Sequence, residues 1–258
     1  MKASIQKIMV KQFQNGSILE KEENIVNEFT TVLFVNGALW ASFSCTPNHL
    51  EELGAGFLFN KGILNKKEDI LHLEQCQKGN GIDIWLNKQV RQPKFQHYSS
   101  DCINTEPTPS NIDILNFQKY SKKIYLSELQ LNLQKFQDQQ ALYQKTRGIH
   151  ASAIQIIENL FYLQIEDISR HTTLDKLAGS LLLESIPISP SIILTSGRVS
   201  LGMMRKAMNL KAAMVASFSS PTYPAIQLAE KAGITLIGYA RKNQFKIYTH
   251  SERLIITK

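Results

Sequence analysis

The most constraining feature of this chain is the alternation of apolar, strand-like runs with helical-period segments from Thr146 onward. Two β-rich runs, 151–157 and 160–165, read as strands paired around Glu158-Asn159. A helix follows over 172–184, then a strand over 192–195 and a helix over 200–208. A strand at 212–218, a helix at 223–231 and strands at 235–240 and 245–248 complete the series. Strands separated by helices need a sheet covered on its faces, which predicts a layered α/β domain with a largely buried mixed sheet. Periodicity alone does not choose among α/β sandwiches.

The N-terminal part follows another pattern. Residues 31–43 read as a hairpin, two apolar β-rich runs joined by Asn36-Gly37. Thr46-Pro47 is placed to open a helix, with threonine as cap and proline in the first turn. Leu50, Leu53, Phe57 and Leu58 give that helix its apolar face, and Gly62 stands just past its end. A short strand is expected over 82–86. Prolines 93, 107 and 109 mark a loop, and 127–145 has helical period with Ser127 and Gln130 as a capping box. The organisation predicted is an α+β part over 1–105, a linker and amphipathic connector helix over 106–145, and the α/β domain over 146–258.

Composition narrows the function classes. No apolar run of about eighteen residues exists, and MKASIQKIMVKQF lacks a signal core, so a cytoplasmic protein without membrane association is expected. Three scattered cysteines, Cys45, Cys76 and Cys102, do not make a disulfide framework. The net charge of +7 comes without a basic stripe interleaved with aromatics, which argues against nucleic acid as a partner.

Chemistry-bearing residues gather at strand-to-helix junctions. In IEDISRHTTLDKLAGSLLL (165–183), Glu166, Asp167, Arg170 and His171 crowd the start of a helix that Thr172 or Thr173 can cap. Leu174, Leu177, Ala178 and Leu181 give it one apolar face. Ser196, Gly197 and Arg198 precede the next helix, and Ser219 and Ser220 precede the one after. Free N–H groups at helix starts, hydroxyls and an arginine fork together favour phosphate, although well-capped surface helices have the same composition.

Several long blocks, in order, resemble the formate dehydrogenase accessory sulfurtransferases of the FdhD family. They are TPNHLEELGAGFLFNKGIL (46–64), TRGIHASAI (146–154), the 165–183 block, LTSGRVSLGMMRKA (194–207), SSPTYPAIQLAEKAGITLIGYAR (219–241) and FKIYTH (245–250). The resemblance covers nearly all of the chain outside 106–142. It implies a cytidine-deaminase-like arrangement of the α/β domain. Zinc deaminase chemistry itself is not expected: His150-Ala151-Ser152 lacks the glutamate two residues on, and no cysteine follows Cys102. No zinc is therefore assigned.

The resemblance further implies a sulfur carrier that takes sulfur from a cysteine desulfurase and passes it to the molybdenum cofactor in its bis(molybdopterin guanine dinucleotide) form, before insertion into apo formate dehydrogenase. Tyr239, Ala240, Arg241, Lys242, Asn243 and Gln244 match the family's cofactor loop. Ser196, Gly197, Arg198, Ser219, Ser220, His150, Asp167, Arg170 and His171 are expected at the same rim. GDP should then act as a mimic of the cofactor, and a homodimer is expected.

Cys102 is the candidate sulfur-bearing residue. It retains one of the two cysteines of the family's Cys-x-x-Cys loop; Thr105 stands at the other position, and Asp101 sets a negative charge beside the thiol, opposing thiolate formation. Loss of the second cysteine leaves a different class open: a chaperone that binds cofactor or apo-enzyme without transferring sulfur. Arg147 and Ser169 replace family glycines, which raises the question of what those dihedrals require.

Overall fold

The computed structural model describes residues 4–76, 80–99 and 123–256; Cys102, Asp101, Thr105 and segment 106–122 lie outside them. Two strands, β1 (Ile5–Gln14) and β2 (Ser17–Val26), form a hairpin that the sequence pattern did not reveal. Its turn is Asn15 (φ 50°) and Gly16 (φ 81°), the left-handed pair a two-residue hairpin needs. Both faces of this ribbon carry exposed apolar side chains, so strict alternation is absent.

The hairpin expected over 31–43 is β3 (Phe29–Val35) and β4 (Ala38–Cys45), with Asn36 and Gly37 both at positive φ. After β4 comes α1 (Leu50–Asn60), then β5 (Ile70–Gln75), β6 (Gly81–Leu86) and β7 (Gln96–Tyr98). These strands make a five-stranded sheet ordered β5-β6-β3-β4-β7, with α1 packed on it through Leu53, Phe57 and Leu58. The expected start of α1 at Thr46-Pro47 is corrected. Thr46 does not cap the helix, because its N–H and hydroxyl both donate to Asp167 Oδ2, at 3.0 and 2.8 Å. The helix starts after His49, which sits at φ 53°.

Beyond the undescribed segment, β8 (Ile124–Tyr125) leads into α2 (Leu126–Asp138) and α3 (Ala141–Thr146). The single helix expected over 127–145 is thus two. The capping box does not form, because the helix already begins at Leu126 with Tyr125 at the cap position, which puts Ser127 inside the first turn; Gln130 Nε2 donates to the Lys242 carbonyl. The second helix starts on a side chain from elsewhere: the Leu142 and Tyr143 N–H groups donate to the Glu166 carboxylate at 2.9 and 2.8 Å.

The alternating region folds in the expected order: β9 (His150–Ile156), β10 (Tyr162–Asp167), α4 (Arg170–Leu183), β11 (Ser191–Thr195), α5 (Leu201–Asn209), β12 (Ala212–Ser217), α6 (Tyr223–Lys231), β13 (Thr235–Arg241) and β14 (Gln244–Thr249). A last short strand, β15 (Leu254–Ile255), pairs in parallel with β8. The six main strands form a mixed sheet ordered β10-β9-β11-β12-β13-β14, with β11, β12 and β13 parallel. Alternation along β9 sends Ala151 and Ala153 toward Leu129, Leu133 and Phe136 of α2, and Ile154 and Ile156 toward Leu174, Leu177 and Leu181 of α4. Helix α5 covers the α4 side through Met203, Met204 and Ala207.

Helix α4 departs from the one-faced expectation, being buried on nearly every side from Arg170 to Leu182. One side meets the six-stranded sheet and the other crosses α1, where Gly56 and Gly179 bring the two backbones into contact. Thr172 and Thr173 do not cap it: Ser169 stands at the cap position, and the Thr173 hydroxyl donates to the Arg170 carbonyl at 2.7 Å. Among the described residues no helix is long and apolar enough to cross a membrane.

Candidate functional site

Register places the chemistry at one edge of the six-stranded sheet. Strand β9 runs against β10 and β11, so its first residue, His150, lies opposite Asp167, while Ser152 lies opposite Thr195. The parallel neighbour brings Ser217 beside Thr195. The turns leaving β11 and β12 then run side by side: Val199 N–H donates to the Ser220 carbonyl at 3.2 Å, and Thr222 N–H to the Val199 carbonyl at 2.9 Å. Tyr239 N–H donates to the Ser219 carbonyl at 3.0 Å, tying in the end of β13. The three turns converge as carboxyl ends of parallel strands do in ligand-binding α/β folds.

A cleft of about 730 Å³ opens at this edge, within the range for small-molecule sites. The sheet supplies His150, Ser196 and Arg241, and the opposite wall comes from α2, α3 and the turn to β9. Ser196 Oγ accepts from the Ala151 N–H at 3.0 Å and lies 3.2 Å from His150 Nδ1. His150 is held below the usual imidazole range by burial and, next, by the Arg170 guanidinium. Arg241 donates to the carbonyls of Phe218 and Ala240 at 3.1 and 2.8 Å, with its guanidinium 4.7 Å from the centre of the Phe218 ring. It remains exposed and lines the cleft, so it is a cation poised there.

The other candidates distribute differently. Gly197 touches this group: a Cβ there would fall 2.9 Å from Arg170 Cβ, so the glycine lets the buried arginine pass. Ser219, Ser220 and exposed Arg198 belong to the converging turns without lining the cleft. Tyr239 sits at φ 51° with Lys246 Nζ 4.8 Å from its ring centre. Ala240 is fully buried, Lys242 and Asn243 form the exposed turn beyond it, and exposed Gln244 opens β14.

Asp167 is not at the rim. Its side chain and that of Lys176 are both 0 % exposed, with Lys176 Nζ 2.6 Å from Asp167 Oδ2. Lys176 also donates to the Thr46 carbonyl at 3.1 Å, so this pair bolts the loop before α1 to the start of α4. His171 turns away as well, into a second cavity of about 80 Å³ between α1 and α5. Its imidazole is pushed down to about 3 by burial first, then by Lys206 and Arg170.

That shift has a consequence for stability. In the unfolded chain a histidine takes a proton near pH 6.5, whereas folded His171 stays neutral to about pH 3. Acid therefore favours unfolding: the contribution is complete above pH 6.5 and is lost as pH falls below it. Unfolding free energy should drop by about 2 kcal/mol on this account between pH 6.5 and 5. Denaturant titrations of the wild type and His171→Gln at both pH values check this, since the variant should lack that share of the slope; equal slopes would refute it.

Sequence reasoning missed the α3 wall. Arg147, at the C-terminal cap of α3, has φ 56° and ψ 2°, the conformation that glycine favours. Ser169, by contrast, has φ −105°, which any residue adopts, so no glycine is required there. Of the described cysteines, Cys45 is buried, with its thiol pushed up to about 12 mainly by that burial, and Cys76 is half-buried.

Residues 26–255 match the family model described as FdhD/NarQ. The chain belongs to the FdhD/NarQ family. It is 32 % identical to the sulfur carrier protein FdhD of Staphylococcus haemolyticus over 254 residues, 96 % of each chain. It is also 32 % identical to sulfur carrier protein FdhD of Bacillus subtilis, over 94 % of this chain and 95 % of the relative. A crystal structure of a Desulfotalea psychrophila protein described as a formate dehydrogenase accessory protein superposes with a TM-score of 0.78, covering 98 % of this chain and all of the other at 24 % identity. That likeness supports the α/β fold. The FdhD/NarQ match also extends through the glycine crossing and the buried Asp167–Lys176 pair, both outside the cleft.

Proposed function

We propose that this protein is a sulfur carrier for formate dehydrogenase, which takes sulfur from a cysteine desulfurase onto Cys102 and delivers it to the molybdenum cofactor held in the cleft. The observation that carries the reading is the convergence of His150, Ser196 and Arg241 on one large cleft at the carboxyl edge of the sheet. The family relatives named as sulfur carriers supply the chemistry. The cleft has room for one nucleotide end of the bis(molybdopterin guanine dinucleotide) cofactor, with Arg241 and Arg147 as cations for its phosphates. Within the described residues the remaining thiols, buried Cys45 and half-buried Cys76, are poor candidates, which leaves Cys102. Its thiolate would attack the outer sulfur of the desulfurase persulfide and release the desulfurase thiolate, an exchange that needs no added oxidant. Apo formate dehydrogenase is the receiving partner, the cytoplasm the compartment, and a homodimer the working assembly.

One experiment with two arms tests this. Intact-mass measurement after incubation with a desulfurase and cysteine should show one added sulfur on the wild type and none on Cys102→Ala. Calorimetry at fixed salt should show GDP binding unchanged in Cys102→Ala but weakened about ten- to a hundredfold in Arg241→Ala, the loss expected for a charge-assisted contact. Sulfur labelling that persists in Cys102→Ala overturns the relay. GDP binding with no sulfur uptake at all would favour the chaperone that only holds the cofactor.

A further inference from the structure

The β1–β2 ribbon takes no part in the cleft, and its surface carries more apolar side chain than water alone suits. Among the described residues it pairs with no other strand. Ten residues in each strand give it a length of about 34 Å. It meets the body at its base, where Val26 Cγ1 lies 3.3 Å from the position of a Cβ on Gly148. Residues 11–22, toward the tip, are all exposed. A two-stranded ribbon by itself is marginal in water and gains stability when another layer covers its apolar face. Cross-strand register sorts its side chains. Directly opposed residues share a face, so Lys7, Met9, Lys11 and Phe13 lie with Asn24, Glu22, Glu20 and Ile18. That face holds the ribbon's three most exposed large apolar side chains, Met9 at 64 %, Phe13 at 73 % and Ile18 at 67 %. Its charge is divided by strand, with lysines only on β1 and glutamates only on β2. Lys7 and Glu22 satisfy each other at 2.7 Å, while Lys11 and Glu20 make no ion pair among the described residues.

Such a face is complementary to itself under one symmetry. A two-fold axis running along the strands lays β1 of one copy over β2 of the other, at matching heights. Phe13 then covers the partner's Ile18, and Lys11 reaches the partner's Glu20, each contact being made twice. The other arrangements are opposed by charge or by closure. An axis across the strands, or pairing of two β1 edges, sets lysine against lysine, and two β2 edges set glutamate against glutamate. A β1 edge on a β2 edge does not close and grows into chains. We propose that this face of the ribbon is a self-association surface, on which two copies pack ribbon against ribbon, tips together, through Phe13–Ile18 and Lys11–Glu20 contacts. The inference rests on the homodimer named above and supplies its surface. Neither the cleft nor the sulfur relay enters it.

Analytical ultracentrifugation of the full chain tests it. The wild type should sediment as a species of twice 29.2 kDa. Phe13→Ser combined with Ile18→Ser should raise the dimer dissociation constant about a hundredfold, leaving a folded monomer. Lys11→Glu sets glutamate against glutamate across the interface twice, and Glu20→Lys sets lysine against lysine. Each of these variants alone should therefore dimerise about tenfold more weakly. Mixed one to one, the two should form a heterodimer of wild-type strength, because every pair between copies is again opposite in sign. Within each ribbon the like-charged neighbours persist in the mixture, so only contact between copies accounts for the recovery. If Phe13→Ser with Ile18→Ser does not fold, the charge variants and their mixture decide alone. A wild-type monomer overturns the surface, and the homodimer with it. A wild-type dimer that ignores the ribbon substitutions, or a mixture that stays weak, overturns the surface and leaves a homodimer built elsewhere.

Discussion

Gly179→Ala is expected to destabilise this protein by about 4 kcal/mol or more, an effect in the exceptional tail for a single methyl group. A Cβ at position 179 would fall 1.8 Å from the Glu52 carbonyl oxygen, and one at position 56 would fall 1.8 Å from that of Asp175. Overpacking usually costs about 1–3 kcal/mol because a side chain moves aside. Here the obstacle on each side is helix backbone, so α1 and α4 must separate along a buried seam. Intrinsic propensity acts in the opposite direction, since alanine in a helix interior gains about 1 kcal/mol over glycine. The two explanations therefore predict opposite signs. Chemical denaturation of Gly179→Ala and Gly56→Ala decides; midpoints at or above that of the wild type would mean that the helices do not cross backbone to backbone.

A second large loss is expected on breaking the buried ion pair. Lys176 and Asp167 are 2.6 Å apart with no exposure of either side chain, and Asp167 also accepts from Thr46. Removing one partner leaves a desolvated charge, at a cost of about 3–5 kcal/mol, whereas an exposed pair contributes about 1 kcal/mol or less. Lys176→Met should therefore lower the unfolding free energy several-fold more than a surface lysine change such as Lys7→Met. The double variant Lys176→Met with Asp167→Leu should be less damaged than the sum of the single changes, because no lone charge remains. Strict additivity in urea titrations would show that the pair is not coupled.

Much of the fold was legible in the sequence because it rests on local rules. The strand and helix order after Thr146 follows from periodicity, and Asn36-Gly37 demands its turn whatever surrounds it. What could not be read depends on residues far apart in the chain. Thr46 looks like a cap until Asp167, 121 positions later, claims both of its donors. The start of α3 is fixed by Glu166, 23 positions beyond Tyr143, which no local pattern announces. At the candidate site, motif order grouped His150, Ser196 and Arg241, and strand ends at one edge set all three along one cleft. It could not tell that Asp167 and His171, in the same motif, point into the seam and the second cavity instead. A helix buried on one face and a helix buried on both differ by a partner that the local pattern does not contain.

The position of α4 between the two sheets also bears on how this protein can be divided. Its inward residues complete the six-stranded layer, while Leu182 belongs to the core of the five-stranded one. A fragment beginning at Thr146 would carry into water Gly179, a cleft cut for another helix's backbone, and Lys176 would keep Asp167 but lose Thr46. A fragment ending there would lose the lid of its own apolar layer. The two halves are therefore not portable modules that evolution or an engineer can exchange one at a time; whatever alters one side of the seam has to be answered on the other.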